Sequence, residues 1–325
     1  MINPAHRHPK TLPVSASFML AFLCLISLGV GAGDASISDL WQGSAGAELL
    51  AISRLPRTLA AVLAGAGLAI AGLIMQAIAR NRFVEPATAG TAQSAELGIL
   101  LVTILWPAAA LGWKAIAASF AALVGTSLFL MTAHRLPPTQ PYLVPLFGLV
   151  YGGVIGAAAT FIAWQADLLQ YLSVWSNGDF SGVLRGRYEL LWLGAILVAL
   201  AWLIADRLTI MALGRETSIG LGIDYQRMLQ IGLVIIAAIS AVTVVVIGII
   251  PFVGLVVPNL VSRLMGDNMR ATLPVTALLG AILVLACDIL GRLIRFPYEI
   301  PVGTVMGVVG AILFLFLLFA RRADA

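Results

Sequence analysis

Charged residues are scarce in this sequence. They make up 10% of its 325 residues, whereas hydrophobic residues make up 61%. A soluble domain is about 25% charged, and the surface of a soluble fold is too large to leave most residues inside. The shortage of charge therefore excludes a cytosolic enzyme, a disordered tail and a secreted disulfide scaffold. A multi-pass membrane protein remains.

Cysteine, histidine and lysine are also rare. The two cysteines, Cys24 and Cys287, lie inside apolar runs, which favours small core residues over a disulfide or a metal pair. The three histidines lie near the ends of apolar runs, so we expect no metal site. Neither of the two lysines follows a glycine, so the Gly-Lys pair of a phosphate-binding P-loop is missing. We expect no cofactor on this chain.

Ten apolar runs approach the roughly 20 residues that a helix needs to cross a bilayer, and helices are the structure expected for them in lipid. The eighth is short and contains two prolines. The runs are Ser17–Gly33, Leu59–Ala79, Ala87–Trp106, Lys114–Ala133, Tyr142–Trp164, Leu190–Ala205, Leu229–Ile250, Pro251–Met265, Leu273–Leu290 and Pro301–Ala320. The sequence thus predicts an all-α membrane protein of about ten helices.

One transmembrane domain, residues 17–320, is predicted between a cytoplasmic N-terminal tail (1–16) and a short C-terminal tail (321–325). Basic residues before the first run and the small residues 31–33 would also suit a cleaved signal peptide. We favour an uncleaved first helix, because the rest of the chain is already built for the membrane.

The distribution of basic residues predicts that both termini are cytoplasmic. The formal net charge is +4, and the basic residues are spread between the runs with no cluster that could follow nucleic-acid phosphates. The cytoplasmic side then carries Arg7, Lys10, Arg80, Arg82, Arg135, Arg207, Arg215, Arg227, Arg263, Arg270, Arg321 and Arg322. The outer side carries Arg54, Arg57, Lys114, Arg185, Arg187, Arg292 and Arg295, which need another explanation.

Three glycines at four-residue spacing, Gly148, Gly152 and Gly156, lie on one face of the fifth predicted helix. Small residues at this spacing let helices approach closely in lipid. We favour tight packing within one bundle, with a dimer seam or a sliding gate as the alternative.

Two carboxylates lie inside apolar runs, Glu96 and Asp288. Carboxylates in the membrane can relay protons, so a self-contained ion-coupled carrier is one hypothesis for the function. Because both residues lie near the ends of their runs, we favour structural pairing instead.

The longest polar stretch is 206–230, on the predicted cytoplasmic side. Its glycines, Gly214, Gly220 and Gly222, predict two short helices broken by a glycine turn. Apolar Ile219 and Leu221 would be exposed unless a partner covers them, so we interpret the stretch as a docking segment.

Five segments together resemble the iron-siderophore and vitamin B12 family of ABC importer permeases. They are RLPRTLAAVLAGAGLAIAGLIMQAIARN (54–81), ALGRETSIGLGI (212–223), PFVGLVVPN (251–259), ALLGAILVLACDILGR (277–292) and EIPVGTVMGVVGAILFL (299–315). They span nearly the whole chain in the family's order. The resemblance implies a type II ABC importer permease fold with ten helices, in the bacterial inner membrane.

The resemblance also implies partners and site residues. Arg54, Arg57 and Arg292 match arginines that meet glutamates on an extracytoplasmic solute-binding protein. The segment from Gly214 to Gly222, with Glu216, Thr217, Gly220 and Leu221, matches the loop that couples to the ATPase subunit. ATP and magnesium would then bind that ATPase and not this chain.

Two departures narrow the resemblance. Asn259 stands where most relatives have histidine, and Gly310 is not followed by the usual Gly-x-Pro pattern. Asn259 and the segment GDFSGVLRGRYELLW (178–192) are most similar to the branch for ferric catecholate-type siderophores, with heme and cobalamin as alternatives. That branch often pairs two different permeases, so we favour a heterodimer over a homodimer.

A membrane scaffold without transport is a further hypothesis for the function of the chain.

Overall fold

The computed structural model describes residues 11–31, 48, 50–137, 140 and 142–320. Within them the chain is helical and has no β-strand. A π-helical turn, Leu50–Arg54, precedes the second helix, and a 3-10 turn, Tyr188–Leu191, precedes the seventh. In chain order the helices are α1 (Thr11–Gly29), α2 (Leu55–Ala79), α3 (Thr91–Leu105), α4 (Leu111–Ala133), α5 (Leu143–Gln165), α6 (Leu169–Ser176), α7 (Trp192–Leu203), α8 (Ala205–Ala212), α9 (Arg215–Gly220), α10 (Tyr225–Val246), α11 (Val253–Met265), α12 (Met269–Ile294) and α13 (Val302–Ala320).

Seven of these helices are long and apolar enough to cross a membrane: α1, α2, α4, α5, α10, α12 and α13. An eighth span results if α7 and α8, which are bent by 69° relative to each other, form one crossing. Helices α3 and α11 are apolar but shorter, with 15 and 13 residues. The structure therefore supports a multi-pass membrane protein, and the predicted number of ten depends on the bent pair and the two short helices.

Helix α1 starts earlier than the sequence suggested. It begins at Thr11, so the end of the predicted tail 1–16 is helical. Residues 1–10 and the C-terminal tail 321–325 lie outside the described residues.

Two other helices are shorter than their apolar runs because the backbone turns before they begin. Gly90, the residue before α3, has φ +76°, and Phe252, the residue before α11, has φ +68°. A residue in the left-handed conformation cannot be part of a right-handed helix, so neither helix can extend past it towards the N-terminus. The two runs beginning at Ala87 and Pro251 therefore start as non-helical chain.

Helix α2 lies at the centre of the bundle. In an apolar 18-residue stretch of the span Leu50–Ala79, 72% of the residues are buried, against 11% in such a stretch of α1 and 28% in one of α13. Glycines allow this burial, because a Cβ atom on Gly65 would lie 2.4 Å from the carbonyl oxygen of Gly280 in α12. A Cβ atom on Gly72 would lie 2.2 Å from the carbonyl oxygen of Gly254 in α11. Backbone packs directly against backbone at both crossings.

Two non-helical segments, 177–187 and 247–252, lie against each other and form backbone hydrogen bonds with each other. The Gly178 and Asp179 N–H groups donate to the carbonyls of Ile249 and Ile247, at 3.0 and 2.9 Å. The Ile249 N–H donates to the carbonyl of Trp175 at 2.9 Å. Irregular backbone is tolerated at membrane depth only where the protein provides such partners.

The bundle has two ends that matter for function. At the first, which we call the arginine end, α1 and α12 finish and α2 starts, and Arg54, Arg57 and Arg292 lie there. At the second, the 214–222 end, α2 finishes beside Gly214, and α12 begins where the Met269 N–H donates to the Thr209 hydroxyl. Helix α13 also finishes at this end, because Arg263 donates to the carbonyl of Leu317.

Candidate docking and coupling sites

Two of the predicted docking arginines share one buried carboxylate, that of Asp288. Arg57 lies 2.7 Å from Asp288 Oδ1 and also 2.7 Å from Glu299 Oε2. Arg292 lies 2.8 Å from Asp288 Oδ2, one helical turn away on α12. The Asp288 and Arg292 side chains are only 2% and 4% exposed. Buried charges of this kind are stable only when they are paired, so these contacts are structural.

Arg54 and Arg292 also bind the C-terminus of α1. Arg292 Nη1 donates to the carbonyls of Ser27 and Val30, at 3.0 and 2.7 Å. Arg54 Nη1 donates to the carbonyl of Leu28 at 3.0 Å. The last carbonyls of a helix have no partner inside the helix, and a cation is favourable there. The two arginines therefore cap α1 and join it to α2 and α12.

This geometry differs from the arrangement that spacing suggested for Arg54 and Arg57. The two arginines are three residues apart at the start of a helix, a spacing at which both guanidinium groups can lie on one face of the turn. In the structure Arg54 is 6% exposed and directed to α1, whereas Arg57 is 12% exposed and directed to α12. Because α1 and α12 both pack at the start of α2, they cover the turn. The docking role of Arg54, Arg57 and Arg292 stays a prediction.

The stretch 206–230 contains two short helices separated by a glycine, as the sequence predicts: α8 ends at Ala212, and α9 begins at Arg215 after Gly214. Gly214 has φ +110° and Gly222 has φ +77°, conformations that favour glycine. Gly220 lies inside α9 and has open space around its Cβ position, so its backbone does not require glycine. The buried Ser218 hydroxyl donates to the carbonyl of Gly214 at 2.7 Å and fixes the turn.

This segment presents apolar side chains to the surface. Ile219 is 58% and Leu221 is 59% exposed, and Glu216 and Thr217 are exposed beside them. Ile223, in contrast, packs against the core. A small apolar surface bordered by polar residues is typical of a protein interaction site. The geometry therefore fits a docking segment.

The three glycines of α5 pack to different degrees within the chain. A Cβ atom on Gly148 would lie 2.5 Å from the carbonyl oxygen of Thr88, and one on Gly152 would lie 3.4 Å from Gln93 Oε1. At Gly156 the nearest atom would be 3.9 Å away. Gly148 therefore requires the absence of a side chain, Gly152 has ordinary contacts, and Gly156 has room.

Glu96 is hydrogen-bonded within the bundle, and the two cysteines form no disulfide with each other. Ser176, at the end of α6, hydrogen-bonds to the Glu96 carboxyl. Cys24 and Cys287 are free thiols, and Cys287 is buried as predicted. Among the described residues no group of three or more histidine, cysteine or acidic side chains could hold a metal ion.

Glu85 lies between α2 and α3 and caps α11, and it was not among the predicted site residues. Its side chain is 2% exposed, and its Oε1 accepts the Phe252 N–H at 2.9 Å. The Gly254 and Leu255 N–H groups also bond to this carboxyl. Burial raises the pKa of Glu85 to about 7, against the opposing effect of these donors. A lone glutamate before an apolar run is the signal that could have indicated it.

We expect Glu85 to make stability depend on pH. Its folded-state pKa lies above the ordinary value, so its contribution is present at low pH and is lost as pH rises from about 4.5 through about 7. Replacing Glu85 by alanine should lower stability by about 1–3 kcal/mol, because buried N–H groups lose their acceptor. Thermal unfolding in detergent at several pH values measures both effects.

The control is Glu85→Gln, which keeps an acceptor oxygen but cannot ionise. It should be more stable than Glu85→Ala and should lack the wild type's loss of stability with rising pH. The same pH slope in Glu85→Gln and wild type would contradict the prediction.

Comparison with known proteins identifies a family for nearly the whole chain. Residues 19–320 match the model of the FecCD transport family. The petrobactin import system permease protein YclN of Bacillus subtilis (strain 168) is 44% identical over 308 residues, covering 94% of this chain and 98% of that protein. The ferric-anguibactin transport system permease protein FatD of Vibrio anguillarum is 40% identical over 310 residues, with the same coverage.

A solved structure supports the fold independently. The inward-facing conformation of a metal-chelate type ABC transporter matches with a TM-score of 0.80, at 23% identity, over 96% of this chain and all of the matched chain. At this identity the match concerns the fold alone.

Proposed function

Since this chain belongs to the FecCD transport family, we propose that it is the permease subunit of an ABC importer for a ferric siderophore of the catecholate type. The observation that carries the proposal is the 44% and 40% identity to permeases for petrobactin and anguibactin, over 94% of the chain. Both names fit the catecholate class that Asn259 and residues 178–192 predicted. The chain is a transport subunit and not an enzyme. Heme or cobalamin is the alternative substrate.

We propose that ten segments cross the inner membrane. These are the seven long helices, the bent pair α7–α8 as one crossing, and the short helices α3 and α11. The non-helical segment 247–252 precedes α11 and lengthens that crossing. Helix α13 finishes at the 214–222 end, and we place this end and both termini in the cytoplasm.

Three kinds of partner follow from the proposal. The exposed 214–222 segment would contact an ATPase subunit, which binds ATP and magnesium. The arginine end would face an extracytoplasmic solute-binding protein. A second, different permease would complete the complex, and the largely exposed helix α5 offers apolar surface for it, including Leu149, Val150 and Val154. Gly156, whose Cβ position lies 3.9 Å from the nearest atom, would contribute to that packing or to a gate.

Transport in reconstituted vesicles tests the function. With the second permease, the ATPase and the binding protein present, uptake of a ferric catecholate siderophore should require ATP. Uptake without any ATPase, driven by a proton or sodium gradient, would support the ion-coupled carrier instead. No uptake of siderophore, heme or cobalamin with all partners present would support a scaffold without transport. Competition among the three ligands identifies the substrate class.

We expect the 214–222 segment to couple ATP hydrolysis to import. Glu216→Arg reverses an exposed charge, and Gly222→Val strains a backbone with φ +77°. Each should reduce import at least about tenfold, because loss of about 1.4 kcal/mol in the ATPase contact has this effect. The measurements are import, ATPase activity and the amount of folded permease.

Gly220→Val separates contact from conformation. This position has open space and no left-handed backbone, so valine should leave the permease folded. Loss of coupling there would locate the ATPase surface at Gly220. Unchanged import in all three variants would contradict the coupling role of the segment.

A further inference from the structure

A groove with a volume of about 430 Å³ lies between α7 and α10, beside the bend that separates α7 from α8. Leu200, Leu203 and Ile204 line one wall, and Ile231 and Val234 line the other. The groove is open to the outside of the bundle, because Leu203 is 65% and Val234 is 49% exposed. In a multi-pass membrane protein, such an aliphatic groove suits an acyl chain.

Polarity changes in a fixed order along the wall that α10 provides. Arg227, Gln230, Ile231 and Val234 lie on one face of α10, because residues three and four apart are neighbours on a helix surface. With a rise of about 1.5 Å per residue, Gln230 lies about 4.5 Å and Val234 about 10.5 Å beyond Arg227 along the helix axis. A cation, an amide and aliphatic groups in this order match the phosphate, the glycerol ester and the acyl chain of a phospholipid.

The neighbouring Trp202 marks the depth of the membrane surface. Its side chain is 40% exposed at the end of α7, and the guanidinium group of Arg270 lies 5.3 Å from the centre of its ring. Tryptophan with one apolar and one polar side is typical of the boundary between lipid and water. The aliphatic part of the groove therefore lies in the lipid, and the first turn of α10 lies at the level of the headgroups.

Two arginines at this level are available to a phosphate. Arg207 is exposed and forms no ion pair among the described residues. It follows the groove residue Ile204 by three positions, so the two Cα atoms are at most about 11 Å apart. Arg227 is 80% exposed and contacts Asp224 through Nε at 3.0 Å, which leaves its terminal nitrogens available.

The charges around the groove are positive in sum. Asp206 is already paired with Arg270, at 2.6 Å, and Asp224 is paired with Arg227. Arg207 is therefore the cation in excess. A guanidinium group binds a phosphate through charge-assisted hydrogen bonds, and basic residues beside a transmembrane helix favour anionic over zwitterionic lipids.

We propose that this groove is a binding site for one anionic phospholipid. An acyl chain fills the space between α7 and α10, and the phosphate lies between Arg207 and Arg227. The bound lipid holds the α7–α8 bend against α10, on the chain that leads to the 214–222 segment. The proposal goes beyond the transport function and does not depend on which substrate is carried.

Lipid retention by the full-length permease tests the site. The protein is reconstituted in nanodiscs with equal amounts of dioleoyl phosphatidylglycerol and dioleoyl phosphatidylcholine, extracted into detergent and examined by native mass spectrometry. We expect one phosphatidylglycerol to be retained, with a preference of at least about tenfold over phosphatidylcholine. Each of Arg207→Gln and Arg227→Gln should reduce this preference about fivefold, since an arginine near the surface contributes about 1 kcal/mol.

Groove filling and matched controls separate this site from general contact with lipid. Val234→Trp should reduce retention of both lipids, whereas Leu128→Trp, at an exposed position of α4, should not. Arg135→Gln removes an exposed arginine two residues after Ala133, which packs in the same core cluster as Leu208 and Met228, and should leave the preference unchanged. Size-exclusion chromatography checks that every variant is folded.

Three results would overturn the proposal. Equal retention of the two lipids by the wild type would show acyl contact without a headgroup site. An unchanged preference in folded Arg207→Gln and Arg227→Gln, or unchanged retention in folded Val234→Trp, would place the lipid elsewhere. Loss of the lipid when the second permease joins would show that a protein covers the groove. None of these results bears on ATP-dependent import, which is measured separately.

Discussion

Replacing Asp288 by alanine should destabilise the permease by about 3–5 kcal/mol, because two buried arginines lose their shared counterion. Arg57 would keep Glu299 as a partner, but Arg292 has no other carboxylate among its described contacts. The expected result is a large loss of folded protein, measured by size-exclusion chromatography and thermal unfolding in detergent. Asp288→Asn keeps a hydrogen-bond acceptor and should lose less.

Glu299→Gln is the control for Asp288. Its side chain is 31% exposed, and Arg57 is its ion-pair partner among the described residues, so its loss should cost about 1 kcal/mol or less. Folded Asp288→Asn should still require ATP for import, since the carboxylate is structural. A normally folded variant whose import no longer depends on a proton or sodium gradient would contradict this and support the ion-coupled carrier.

The apolar runs predicted the helices well because the constraint is local. A run of about 20 apolar residues in lipid has few alternatives to a helix. Each of the ten runs overlaps a helix of the structure, and Gly214 does separate two short helices. The starts of α3 and α11 were less predictable. Phe252, before α11, adopts a left-handed conformation that its residue type does not indicate.

The arginine end was predictable in composition but not in geometry. Resemblance and charge bias selected Arg54, Arg57 and Arg292, and these residues do lie at one end of the bundle. Their partners could not be inferred, because the Arg54 contact with the Leu28 carbonyl and the Arg57 contact with Asp288 join residues 26 and 231 positions apart. The burial of Arg54 by α1 depends on tertiary packing, which the spacing of residues within one helix does not reveal.

The closest helix crossings of the bundle could not be identified from the sequence pattern. The regular spacing of Gly148, Gly152 and Gly156 attracted attention, yet only Gly148 of these faces backbone at less than 3 Å. Gly65 and Gly72 are seven residues apart, two helical turns, and therefore share a face of α2. Their glycine partners, Gly280 and Gly254, come from two other helices. A pairing between distant segments has no signature in one sequence.

Valine at Gly65 or Gly72 should therefore abolish most folded protein. The nearest atoms to the new Cβ would be backbone atoms, at 2.4 Å for Gly65 and 2.2 Å for Gly72, and backbone cannot rotate away as a side chain can. Overpacking usually costs about 1–3 kcal/mol, and displacement of a central helix should cost at least the upper part of that range. Expression, monodispersity and thermal unfolding in detergent measure the loss.

Gly153→Val supplies the matched control, because Gly153 is an exposed glycine of helix α5 with no atom within 4 Å of its Cβ position. It has the same change of helix propensity as Gly65→Val and Gly72→Val, so any difference reports packing and not propensity. Gly254→Ala should be milder than Gly72→Ala, since its Cβ would lie 3.0 Å from the nearest atom instead of 2.2 Å. If Gly72→Val unfolds at the same temperature as Gly153→Val, the backbone contact between α2 and α11 does not hold the bundle together.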